Sequence, residues 1–73
     1  MLYRSKYARS TVWRDLKKNA AVVAVMSKGE VCLGLGGFKT LGEVPDDYVL
    51  VFFDGVTGWV AIQNLEEVEG AVP

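Results

Sequence analysis

The chain has 73 residues, room for one domain only, since a single core takes roughly 50 to 150 residues; an apolar fraction of 51% and a mean hydropathy of +0.21 exclude general disorder. One cysteine and no histidine exclude an internal disulfide and a Cys/His zinc site, so packing must supply the stability. The net charge of −1 conceals a polarity: in residues 1–18 six cations (Arg4, Lys6, Arg9, Arg14, Lys17, Lys18) face Asp15 alone for a net of +5, whereas in residues 29–73 eight carboxylates face Lys39 alone for a net of −7.

Residues 1–19 read as a basic, aromatic arm. Ser10 or Thr11 caps a short helix through Trp13, Asp15, Leu16 and Lys17 that Asn19 ends. So short a helix is unstable unless Trp13 and Leu16 dock on the rest of the chain. Residues 1–9 lack that support and are expected to order only on a partner. Ala20 to Ser27 reads as a strand, because Val22, Val23, Val25 and Met26 form an apolar, β-branched run too short for a helix. Lys28-Gly29 turns the chain. Glu30 to Lys39 follows as a second strand, with Val31, Leu33 and Leu35 on one face and Cys32, Gly34 and Gly36 on the other. Thr40 to Asp47 holds Gly42, Pro45 and two aspartates and reads as an exposed loop.

Tyr48 to Phe53 is the clearest strand, stopped by Asp54-Gly55, and is expected to be central. If Phe53 shares a face with Val49 and Val51, then Tyr48, Leu50 and Phe52 share the other. Trp59 to Ile62 gives a fourth strand, Gln63-Asn64 breaks it, and Leu65 to Val68 closes the set. Gly70 to Pro73 reads as a frayed tail. Five short strands in so few residues cannot bury both faces of a flat sheet. The expected fold is therefore mainly β: a small five-stranded SH3-like barrel over residues 20–69, with the arm before it and the tail after it.

The uncharged stretch Asn19 to Ser27 is far short of the ~20 apolar residues that span a membrane. Arg9, Arg14, Asp15, Lys17 and Lys18 interrupt any signal-peptide pattern. The expected location is the cytoplasm, with no membrane contact.

No residue set offers a nucleophile, a base and a charge stabiliser together, so an enzyme is not expected, and neither is a cofactor, a metal or a small-molecule substrate. Asp46-Asp47 and Glu66-Glu67 read as solvated carboxylates, and Cys32 as a buried structural thiol between Val31 and Leu33. Gly34, Gly36 and Gly37 lack the third glycine and the helix of a dinucleotide loop; they read as the means by which a strand coils. Two features point to binding. Phe52, Phe53, Asp54 and Trp59 flank one turn and can line a groove at the barrel mouth, although in a small domain such aromatics also serve as core. Arg4, Lys6, Arg9 and Arg14 interleave with Tyr3, Tyr7 and Trp13. That pattern suits either phosphate contact with stacking or an acidic protein surface with aromatic anchors. A plain solvated tail would not call for three large aromatics.

The segments VVAVMSKGEVCLG, YVLVFFDG and GWVAIQNLEEV resemble the hairpin, central strand and closing pair of Tudor-type SH3-like domains over about two thirds of the chain. For such a reader Phe52 and Asp54 match the peptide cage, while Met26 and Val31 stand where further aromatics are expected. In length, basic aromatic start and barrel-like remainder, the chain also resembles small transcription regulators of lytic phages that infect Xanthomonas. That resemblance implies binding to the host RNA polymerase, inhibition of promoter initiation by displacing sigma, and readthrough of intrinsic terminators. Charge and aromatic content then nominate Arg4, Lys6, Tyr7, Arg9, Trp13 and Arg14 for docking, with Phe52, Asp54 and Trp59 completing the interface. The alternatives are direct nucleic-acid binding through the arm and Tudor-like peptide reading through the groove.

Overall fold

A computed structural model describes residues 1–17, 19–40 and 47–68, with the side chains of 38–40 left out. It contains seven strands: β1 (Leu2–Ser5), β2 (Ser10–Trp13), β3 (Val22–Met26), β4 (Val31–Thr40), β5 (Asp47–Phe53), β6 (Val56–Ala61) and β7 (Leu65–Glu67), with a 3-10 turn at Ile62–Asn64 before the last. They form one antiparallel sheet in the order β3-β2-β6-β5-β4-β1-β7. The chain is therefore mainly β, and β5 occupies the middle of the sheet as its uninterrupted apolar run requires.

The sheet is strongly coiled. β3 and β4 stand four places apart in the strand order, which a flat sheet would separate by roughly 19 Å. Yet the four-residue turn Ser27–Glu30 joins them, closed by a hydrogen bond from Glu30 N–H to the Ser27 carbonyl (3.0 Å). β1 and β2 are equally far apart in the order, and the hydroxyls of Ser5 and Ser10 still meet at 2.6 Å. No described pairing joins β3 to β7, so the sheet curls round its core without a closing ladder.

Glycines permit the curl. Gly36 and Gly37 have φ of +85° and +69°, and the β4–β5 register slips on either side of Gly36, as at bulges that bend a strand. Gly58 serves close approach instead: a Cβ there would lie 2.5 Å from a Val12 methyl and 2.7 Å from the Trp13 carbonyl oxygen. Asp54 and Gly55, both with positive φ (51° and 82°), make the two-residue turn that matches strand twist. β6 therefore starts at Val56, three residues ahead of the expected Trp59.

The inner face carries Tyr3, Val12, Met26, Cys32, Val49, Val51, Val60 and Leu65, all buried, with Val23, Ala24, Phe53 and Ile62 packed against them. Alternation along β5 falls as expected, with Val49, Val51 and Phe53 inward and Phe52 outward. On β4, Cys32 points in, while Val31, Leu33 and Leu35 face solvent at 46%, 43% and 47% exposure.

The expected arm requires correction. Residues 2–5 and 10–13 are strands of the same sheet: Tyr3 pairs with Cys32 and Glu67, and Val12 with Ala24. Tyr3, Ser5, Ser10 and Val12 are buried. The helix expected over 10–19 is absent among the described residues. Thr11, Val12 and Trp13 favour extended backbone, and the loop is closed by a hydrogen bond from Arg14 N–H to the Ala21 carbonyl (2.8 Å), with Asn19 left-handed at φ 64°. These two strands raise the expected five to seven. Most of the loop expected over 40–47 and the whole tail 70–73 lie outside the described residues, which show Thr40 and Asp47 as strand ends.

Candidate partner-binding surface

Incorporating residues 1–13 into the sheet redistributes their charges. Arg4 projects outward from β1 and its Nε donates to Glu66 Oε1 on β7 at 3.0 Å, both side chains about half exposed. The pair stabilises by at most ~1 kcal/mol, but it neutralises Arg4. Arg14 Nε reaches Asp15 Oδ2 at 3.4 Å. Lys6, Tyr7 and Arg9 occupy the exposed β1–β2 loop. That loop abuts the β3–β4 turn: Ser5 N–H donates to the Glu30 carbonyl (2.9 Å), Gly29 N–H to the Ser5 carbonyl (3.0 Å), and Ser10 is in register with Met26. Lys28 therefore joins Lys6 and Arg9 around one junction. Among the described residues no ion pair engages any of these three, and Tyr7 beside them is 53% exposed.

Two rows of largely apolar side chains cross the outer face of the sheet. One row runs through Leu2, Leu33, Phe52 and Thr57 in register; a second runs through Leu50, Trp59, Trp13 and Val22. Phe52 is 45% exposed and Val22 51%. Phe52, Trp59 and Trp13 lie on the outer face, whereas Val12, Val49, Val51 and Val60 lie in the core. Phe52 and Trp59 thus share a face as diagonal neighbours across β5 and β6. Asp54 is exposed in the turn beyond them. The expected interface residues fall into three groups: Lys6, Tyr7 and Arg9 at the loop; Phe52 within the row through Leu33, with Arg4 two residues along β1 from Leu2 and Asp54 in the turn beyond Phe52; and Trp13, Arg14 and Trp59 in and beside the second row.

A cleft of about 430 Å³ opens where the β2–β3 loop meets β5, lined by Trp13, Asp15, Leu16, Lys17, Asn19, Ala20 and Tyr48. Of these, the sequence points to Trp13 for partner binding and to Trp13 and Leu16 for packing a short helix on the rest of the chain, but not to Tyr48, which comes from a strand far along the chain.

Buried titratable groups lie on the inner face. Burial pushes the Cys32 thiol up to about 11, which leaves it un-ionised and inert at neutral pH. Tyr3 is raised by burial first, then by the Glu67 carboxylate and by Cys32. No helix among the described residues is long and apolar enough to cross a membrane. Comparison with known proteins finds no matching family model, curated protein or solved structure.

Proposed function

We propose that the chain is a phage-type regulator that binds the core of a host bacterial RNA polymerase, displaces sigma to inhibit promoter initiation, and permits readthrough of intrinsic terminators. The observation that carries the docking is the junction where, among the described residues, no ion pair engages Lys6, Arg9 or Lys28 around exposed Tyr7, next to a sheet whose outer face carries two largely apolar rows. Desolvated aromatics with flanking cations are the usual anchors of protein interfaces. The partner and its consequences follow from the resemblance in layout. An SH3-like, Tudor-like barrel is the architecture proposed for it, supported by the coiled antiparallel sheet and the 3-10 turn before the last strand. The place of action is then the cytoplasm of the infected host.

Nucleic acid is at most a secondary contact, because the acidic body repels phosphate. Tudor-like peptide reading keeps some support, since Phe52 and Trp59 share one face. The test is capture of purified polymerase core by the wild type, by Lys6→Glu/Arg9→Glu and by Arg4→Glu, paired with transcription from a promoter followed by an intrinsic terminator. The double variant should lose capture and both transcriptional effects; Arg4→Glu should lose less, its charge being already engaged. Equal capture by all three overturns the role of the junction.

A further inference from the structure

We propose that the cleft walled by Trp13, Leu16 and Tyr48 seats one apolar side chain of an acidic segment in the protein partner. The inference rests on the reading of the chain as a protein-binding module and adds where the partner's anchor residue sits and what surrounds it.

The cleft's volume of about 430 Å³ lies in the ~300–1,000 Å³ range of pockets that bury most of what they bind. A phenylalanine or leucine with its adjoining backbone fits that space. Trp13 and Tyr48 belong to β2 and β5, and Trp13 is in register with Trp59 on β6, so two walls are fixed before binding and little ordering is lost. Trp13, Leu16 and Tyr48 are each only partly covered, which leaves apolar surface to bury on association.

Charge selects the flanks of the occupant. Lys17 lines the cleft and is exposed, and Arg14 adjoins it with its side chain 64% exposed. Among the described lining residues Asp15 carries the carboxylate, and Arg14 holds it. Among the described residues the rim therefore leaves Lys17 as the cation that no carboxylate engages, suited to an acidic residue beside an apolar anchor. Asn19 and Asp15 add hydrogen-bonding groups for peptide backbone.

The probe is a short fluorescein-labelled peptide, acidic throughout except for one central Phe, titrated by fluorescence anisotropy. A second peptide carries Ala in place of Phe, and a labelled oligothymidylate of equal charge is the third ligand. The Phe peptide should bind roughly tenfold more tightly than the Ala peptide, Leu16→Ala should remove most of that advantage, and Lys17→Glu should weaken both peptides. Leu16 and Lys17 lie outside the core, and circular dichroism of each variant verifies the fold. No binding of the Phe peptide overturns the proposal, as does equal binding of the two peptides, an unaffected Leu16→Ala, or preference for the oligonucleotide. Polymerase capture separates the two readings. If the wild type and Leu16→Ala capture polymerase equally, the cleft's role falls and the docking reading stands. If anchor-dependent peptide binding persists without polymerase capture, the named partner falls and the cleft stands.

Discussion

Ser10 donates its hydroxyl proton to Ser5 Oγ across 2.6 Å, and the direction follows from Ser5 having only one proton to give, which it donates to the Tyr7 carbonyl at 2.9 Å. Both serines are essentially fully buried, at 1% and 0% exposure. Two strands that lie four places apart in the sheet are thereby joined, and the loop bearing Lys6, Tyr7 and Arg9 is fixed to the body.

The two serines should differ in cost when replaced. Ser10→Ala removes one hydrogen bond and leaves Ser5 still bonded to Tyr7, for about 1 kcal/mol. Ser5→Ala strands the Ser10 proton and the Tyr7 carbonyl, for about 2–3 kcal/mol. The double variant should cost less than the sum of the singles, because it leaves no buried hydroxyl without a partner. Urea unfolding of the four proteins measures this; strictly additive costs would show that the pair does not couple.

Gly58 tests the close approach of β2. Its Cβ would meet the Trp13 carbonyl oxygen, a backbone atom, at 2.7 Å and a Val12 methyl at 2.5 Å, so Gly58→Ala should destabilise by about 1–3 kcal/mol through overpacking. At Gly29, where nothing lies within 4 Å but φ is +88°, alanine should cost about 1 kcal/mol through backbone strain alone. Equal thermal shifts for Gly58→Ala and Gly29→Ala would count against the crowding at Gly58.

Cys32 makes stability depend on alkaline pH. Its folded pKa of about 11 lies above the ordinary thiol value of 9.0, so the unfolded chain releases the proton first. The contribution is intact below pH 9 and is lost as pH rises from 9 through 11, with a slope approaching 1.4 kcal/mol per pH unit from this group. Tyr3, also raised, acts in the same sense beginning near pH 10. Denaturation curves at pH 8 and pH 10.5 should therefore differ less for Cys32→Ala than for the wild type.

The sequence made the strands from Val22 onward legible, because period-two patterning and Gly-containing turns act locally. The Tyr48–Phe53 run is the clearest case, its valines turning inward and Phe52 outward. Strands β1 and β2 were hidden. Charges at Arg4, Lys6 and Arg9 mimic a solvated arm, and two of the four inward positions hold Ser5 and Ser10 beside Tyr3 and Val12, the serines' burial being tolerable only because each has a hydrogen-bond partner. The basic junction was legible as charge but not as geometry, since Lys28 joins it through the β3–β4 turn. Trp13 and Leu16 were legible as residues that pack a short segment on the rest of the chain, but their juxtaposition with Tyr48 around a cleft depends on long-range register that no local pattern carries.

Adjacent residues of β5 should separate stability from partner binding. Val51 is fully buried and Phe52 is 45% exposed, so Val51→Ala should cost about 2–3 kcal/mol by losing packing and leaving a cavity. Phe52→Thr keeps a β-favouring residue in register with Leu33 and Thr57 and should cost under about 1 kcal/mol, the worth of one cross-strand contact. In binding the order should reverse. If the outer face docks on a partner, Phe52→Thr should lower polymerase capture roughly tenfold or more, whereas Val51→Ala, measured well below its midpoint of unfolding, should bind as the wild type does. Capture that tracks stability across the two variants would remove the outer face from the interface and leave the basic junction to bind alone.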